Sequence, residues 1–144
     1  MACLIQFYKE STTVVGTSKA LIFAFDMHTK KARLFSKGRN QEYDRVDTVC
    51  VSSNGEFVIA GYAMGQVTIW DLTKFEDIKT IIGVFVSSVS LIRILNNENY
   101  SFLAADPSGL LMQFAIVKGY FTTSIEQNSV YKSGSSKLKL MQKR

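Results

Sequence analysis

Proline occurs once, at Pro107, histidine once, at His28, and cysteine twice, at Cys3 and Cys50. Two cysteines are too few for a disulfide framework or a zinc site, so they exclude disulfide-stapled scaffolds and indicate a reducing compartment. One proline and nine glycines leave little material for linkers. Long apolar runs are also missing. The most apolar stretch, residues 80–95, is interrupted by Ser87, Ser88, Ser90 and Arg93. It falls short of the roughly 20 residues of a membrane span and reads as two buried strands joined by a Ser-rich turn. The N-terminus has no basic start followed by an apolar run, so no signal peptide is expected.

What is present is ordinary for a folded soluble domain: 47% apolar and 20% charged residues in a chain of 144. Collagen-like and disordered classes are excluded, and the length suffices for a real core. The net charge of +5 is uneven, because Lys132, Lys137, Lys139, Lys143 and Arg144 crowd the end with no acid among them. Residues 1–131 balance at 12 basic and 12 acidic side chains. The basic pI therefore reports on a tail, and a nucleic-acid partner is not expected.

The chain repeats. Val14-Val15-Gly16-Thr17-Ser18-Lys19-Ala20-Leu21-Ile22-Phe23-Ala24-Phe25-Asp26 aligns with Ile59-Ala60-Gly61-Tyr62-Ala63-Met64-Gly65-Gln66-Val67-Thr68-Ile69-Trp70-Asp71. Both align with Leu103-Ala104-Ala105-Asp106-Pro107-Ser108-Gly109-Leu110-Leu111-Met112-Gln113-Phe114-Ala115. Gly16, Gly61 and Ala105 are the small residues ending one strand, Ala20, Gly65 and Gly109 lie in the turn, and Phe25, Trp70 and Phe114 are the late aromatics. The offsets are 45 and 44. Upstream, Val49-Cys50-Val51 matches Arg93-Ile94-Leu95 at 44. A period of 40–45 residues made of short β-branched and aromatic runs, broken by Gly, Asn and Ser, is the mark of propeller blades; helical repeats would space apolar residues at three and four.

Blade physics assigns the residues. Inner strands buried on both faces lose alternation, as Val58-Ile59-Ala60 and Val67-Thr68-Ile69-Trp70 do. The small residue at Gly61 or Ala105 allows close backbone approach, and Gly65 and Gly109 supply a positive φ in a hairpin. Trp70 fills space between blades, and Asp71, like Asp26, caps a strand exit through nearby amides. The prediction is an all-β partial WD-repeat-like propeller over residues 1–131, with three four-stranded antiparallel blades at about 1–36, 46–86 and 89–125, then a basic tail over 132–144. Residues 29–45 should give the outer strand of the first blade and a surface loop. Val130-Tyr131-Lys132-Ser133-Gly134-Ser135 reads as the opening of a fourth blade.

The block from Gly61 to Leu72 resembles the strongest motif in the N-terminal WD-repeat propeller of the vacuolar protein sorting-associated protein 8 family, whose members are subunits of the CORVET endosomal tethering complex. Gly16-Thr17-Ser18 with Ile22–Asp26, residues 46–52 and residues 102–109 are similar to neighbouring segments, and the likeness covers residues 14–135 in order. It implies a non-enzymatic scaffold in vesicle tethering between endosome and vacuole or lysosome. The location implied is the cytosol, peripheral on endosomal or vacuolar membrane. The partners implied are tethering subunits and a Rab-type small GTPase. The family's α-helical solenoid and RING-type region have no counterpart here, and three blades stand where about seven are usual. The chain is thus expected to be a fragment, a split or truncated paralogue, or a degenerate copy.

Few residues offer chemistry. His28 sits in a polar turn, neither cysteine has an activating motif, and no nucleophile or acid–base pair is expected. Asp26, Asp71 and Asp106 recur near strand ends, but at turn-capping positions rather than metal-loop spacing. Gly61 and Gly65 lack the Lys-Ser/Thr of a P-loop. No cofactor is expected. In the tail, Lys137, Lys139, Lys143 and Arg144 interleave with Leu138, Leu140 and Met141. That pattern suits contact with anionic lipid or nucleic acid, a solvated end, or a fragment of a strand; the solvated end is preferred. The alternatives to tethering are a generic WD-repeat interaction module and a basic-tailed lipid or nucleic-acid binder. Because blades bury both faces, an open stack predicts self-association through its uncovered sides.

Overall fold

The computed structural model is all β. It describes residues 2–9, 12–17, 21–35, 45–96, 100–120, 122–132 and 139–142; for 2–9, 12, 13, 15, 17, 96, 128–132 and 139–142 only the backbone is described. The first sheet contains β1 (Ala2–Lys9), β2 (Thr12–Thr17), β3 (Ile22–Asp26) and β4 (Lys31–Leu34). The second contains β5 (Val46–Val51), β6 (Phe57–Tyr62), β7 (Val67–Asp71) and β8 (Glu76–Ile81). The third contains β9 (Leu91–Asn96), β10 (Ser101–Ala105), β11 (Leu110–Lys118), β12 (Thr123–Lys132) and β13 (Lys139–Gln142). Every strand pairs antiparallel with its successor in the same sheet, so each sheet is a simple meander. The sheets converge at their first strands, where β1 and β2 meet β5, and β5 and β6 meet β9; farther out β8 approaches β12. This is the wedge geometry of consecutive propeller blades.

The second sheet shows why the pattern works. β6 and β7 are buried from Phe57 to Tyr62 and from Val67 to Trp70. Alternate residues serve opposite neighbours. Val58, Ala60, Tyr62 and Trp70 join Val14, Ile22, Ala24 and Phe35 in the core against the first sheet. Phe57, Ile59, Val67 and Ile69 join Phe102, Ala104, Met112, Phe114 and Ile116 in the core against the third. Each Val, Ile, Phe or Met among them contributes about 1.5–3 kcal/mol on full burial. The outer sheets keep alternation because only one face is covered: β3 buries Ile22 and Ala24 and leaves Phe23 and Phe25 half-exposed, and β10 buries only Phe102 and Ala104.

The structure departs from the sequence reading in four places. The third sheet has five strands rather than four. Val130, Tyr131 and Lys132 do not open a fourth blade; they finish β12, paired with Met112, Leu111 and Leu110, because the β11–β12 hairpin is longer than its counterparts. The third sheet accordingly runs past residue 125, and β13 comes from the segment read as a tail, where the Lys–Leu alternation has the two-residue period of a strand. The match of Val49-Cys50-Val51 to Arg93-Ile94-Leu95 is one residue out. Val51 faces Val58 and Ile94 faces Phe102, an offset of 43, because bulges interrupt β5 and β9 at different points.

Residues 80–95 are likewise not two buried strands. β8 ends at Ile81, and the connection over 82–90 is pinned by two anchors, Phe85 and Val89, while Ile82 and Val86 point to solvent at 62% and 87% exposure. β9 then leaves Leu91 and Leu95 about half exposed on the outer side of the third sheet. Lys31 and Arg33 of the stretch 29–45 lie in β4, and residues 36–44 lie outside the described part.

Candidate functional site

The repeated positions hold the blades in register. A Cβ on Gly16 would stand 2.7 Å from Val46 Cγ1, and one on Gly61 2.7 Å from both Thr48 Cγ2 and Val89 Cγ1, so only glycine lets these sheets approach. Gly65 and Gly109 both have φ of 91° in the β6–β7 and β10–β11 hairpins, and a Cβ on Gly65 would collide with the Phe85 carbonyl. Phe25, Trp70 and Phe114 pair across strands with Thr13, Val58 and Phe102, and each faces away from the following sheet. Trp70 therefore packs on the first sheet and Phe114 on the second.

Asp26 and Asp71 occupy equivalent strand exits on one rim. Asp26 Oδ1 accepts from the amides of His28 at 2.8 Å and Thr29 at 3.1 Å. The Thr29 amide, then the His28 amide, hold its carboxyl below the ordinary value. Asp71 Oδ1 accepts from the Thr73 amide at 2.8 Å, the Thr73 hydroxyl at 2.6 Å and the Lys74 amide at 2.9 Å. Burial pushes this carboxyl up, but those bonds outweigh it and leave it lowered. Asp106 belongs to the other rim, in the β10–β11 turn, and its Oδ1 accepts from the Ser108 and Leu110 amides at 3.0 and 3.3 Å. The three aspartates thus cap separate turns. His28 is exposed, and burial raises the half-buried Cys50 thiol above its usual pKa.

The seam between the first and second sheets is closed at its outer end by aromatics. Phe35 lies 5.8 Å edge-on from Trp70 and 4.7 Å from Phe75, and the Arg33 guanidinium sits 3.9 Å from the Phe75 ring centre. Phe75 reaches this place with φ of 62°, a backbone cost uncommon for a bulky residue that these ring contacts offset.

The seam between the second and third sheets is built differently. In the turn before β6, Ser52 Oγ accepts from the amides of Glu56 at 3.0 Å and Phe57 at 2.9 Å. Glu56 is thereby aimed at the third sheet. Lys118 Nζ, at the end of β11, donates to Glu56 Oε2, and the Tyr100 hydroxyl donates to Oε1 at 3.1 Å. Tyr100 also stands edge-on to Phe57 at 5.0 Å, with Lys118 Nζ 4.7 Å from its ring centre. Lys118, then burial in the opposite sense and Tyr100, set the Glu56 pKa below its usual value, while Glu56 raises that of Lys118. Beside this cluster lies a groove of about 500 Å³ lined by Asp71, Glu76, Asp77, Ile78 and Lys118. A second cavity of about 270 Å³, bounded by Lys79, Ile81, Val84, Phe114 and Ile125, continues along β8. Neither Glu56 nor Lys118 stood out in the sequence, since their 62-residue separation leaves no local signal.

Against known proteins, the profile of the Vps8 beta-propeller matches residues 3–142. The chain belongs to the Vps8 beta-propeller family. Among solved structures it is similar to the Cps50 (Swd1) beta-propeller domain of Myceliophteria thermophila, with a TM-score of 0.69 at 16% identity. That likeness covers 88% of this chain and 38% of the other, so the chain spans well under half the length of that structure, and it speaks for the fold alone. No curated protein matches. The three sheets are therefore blades of a partial propeller. In this Vps8 propeller chain, none of the helices needed to cross a membrane is present among the described residues. Of the basic residues singled out near the end, Lys139 begins β13, and Lys137, Lys143 and Arg144 lie outside the described residues.

Proposed function

We propose that this chain is a non-enzymatic docking module of a vesicle-tethering subunit, working peripherally on endosomal or vacuolar membrane in transport toward the vacuole or lysosome. The observation that carries the reading is the match to the Vps8 beta-propeller over residues 3–142. Blades supply a rigid frame, and loops and strand edges supply contacts, which is how propellers serve as interaction platforms. Other tethering subunits and a Rab-type GTPase are the partners this reading names. The uncovered outer faces, with Phe23 and Phe25 on one and Leu91 and Leu95 on the other, support self-association or completion by further blades. Affinity purification of the tagged chain from cells tests the assignment: tethering subunits or Rab GTPases are expected in the eluate, and their consistent absence overturns it.

A further inference from the structure

The two rims of the blade stack differ in exposed apolar surface and in charge. Every sheet is an antiparallel meander, so strand ends alternate between the rims. The rim that carries Asp106 also carries the β6–β7 turn, the connection over 82–90 and the end of β12 where β13 begins. Met64, in that turn, is 60% exposed, and Ile82 and Val86, in that connection, are more so. They stand on firm backbone. The Tyr62 amide donates to the Gln66 carbonyl at 2.9 Å, and the Gly65 and Val89 amides donate to the Tyr62 carbonyl at 3.1 Å. Phe85 and Val89 are buried on either side of Val86. Gly65 lies against the carbonyls of Phe85 and Ser87, which brings the Met64 turn up to Val86. Aliphatic side chains fixed in water this way gain free energy when an apolar phase covers them.

The charges indicate which phase. Among the described residues this rim has two acids, and both are engaged: Asp106 is buried in its turn, and Asp47 pairs with Arg45 at 2.6 Å. Its lysines are Lys132 and Lys139, cross-strand partners in the register of β12 and β13. Like charges placed directly opposite disfavour a pair, and an anionic surface laid against them removes that cost. On the other rim Glu56, Asp71, Glu76 and Asp77 are mixed with Lys74 and Lys118, so an anionic surface meets carboxylates there. We propose that the rim carrying Met64, Ile82 and Val86 is the face by which the chain lies on an anionic lipid bilayer. The three aliphatic tips enter the boundary between headgroups and acyl chains, and Lys132 and Lys139 face the lipid phosphates and carboxylates. A fluid apolar layer conforms to tips spread along an edge. The turn tolerates that layer because its Tyr62 and Gly65 amides are already bonded within the protein.

This inference deepens the peripheral-membrane part of the docking-module reading and rests on it, but it is tested with purified protein, so its failure is separable from failure to recover tethering partners in cells. The probes are vesicles of phosphatidylcholine alone and of phosphatidylcholine with about one-third phosphatidylserine. The 144-residue protein is expected to bind the anionic vesicles at least about tenfold more tightly than the neutral ones, and to lose most of that difference in high salt. Bound vesicles should slow amide hydrogen exchange over 62–66 and 82–90 and leave 71–76 unchanged. The Met64→Ser, Val86→Ser double variant, altered only at exposed positions, should bind at least about tenfold more weakly with unchanged thermal melting. The Lys132→Gln, Lys139→Gln double variant should lose the preference for anionic vesicles. Absence of binding, equal binding of both vesicles, full affinity in the serine variant, or protection confined to 71–76 overturns the proposal. Concentration-dependent protection of 62–66 and 82–90 without vesicles, accompanied by a dimer in sedimentation, gives the rim to a second copy and overturns it as well.

Discussion

The two seams of this three-blade stack join at their inner ends in the same manner and part company at their outer ends. Inside, Gly16 against Val46 and Gly61 against Thr48 and Val89 repeat one close approach. Outside, the first seam is filled by Phe35, Trp70 and Phe75, and the second by smaller side chains. Phe35 lies opposite Ile22 in its sheet, and Ile81 lies opposite Val67, the equivalent position, so isoleucine replaces phenylalanine there. Phe114 replaces Trp70, and Tyr120, in the hairpin that follows, is 95% exposed. The missing volume is the crevice along β8. A polar cluster, Glu56 with Lys118 and Tyr100, takes over the bridging that an aromatic stack performs in the first seam.

The largest effect is expected from Trp70→Ala, which empties the closed seam and should cost about 3–5 kcal/mol in denaturant unfolding. Among the described residues the buried indole N–H meets no acceptor, so Trp70→Phe should cost far less; equal losses from both would mean that the seam depends on more than ring volume. Next come Gly16→Ala and Gly61→Ala, each expected to lose about 1–3 kcal/mol through overpacking. Their agreement would confine the difference between seams to the outer ends, and a wide gap between them would break the comparison. Ile81→Phe should raise stability by about 0.5–2 kcal/mol by filling the crevice as Phe35 fills its own, a sign that thermal melting reads directly.

The smallest effect belongs to the polar bridge. Lys118→Met should cost under about 1 kcal/mol at neutral pH, since both side chains are well exposed and salt screens them. The Glu56 pKa is lowered by folding, so its stabilisation is complete above the unfolded carboxylate value and disappears as pH falls through the folded one. The Lys118 pKa is raised, so its share is lost only as alkaline pH climbs through the folded value. Wild type and variant should therefore converge in acid; a difference that persists there would assign the effect to ring contacts with Tyr100.

Much of the frame was readable because it recurs. The run from Gly61 to Asp71 carries a glycine, a turn and an aromatic in one window, and its echoes at Gly16 and Ala105 set the period. Single-residue bulges in β5 and β9 were not readable, since a one-residue slip changes no composition. Nor was the length of β12: its residues, Thr123–Lys132, are mostly polar, with Ile125 the one apolar side chain before Val130, so no hydrophobic pattern marks where the strand ends. The crevice was invisible for another reason. It is an absence of volume, created by Ile81 standing where Phe35 stands one blade earlier, and each residue is unremarkable in its own segment.

Phe25, Trp70 and Phe114 all look the same way along the stack. That common aspect gives the assembly a direction, like a row of cups nested bottom into mouth. A blade added beside Phe25 must offer the kind of surface that Val14, Ile22 and Ala24 offer to Trp70. Two such chains could extend one another only in sequence, tail of one to head of the next, and two heads pressed together would set aromatic against aromatic with no receiving surface between them.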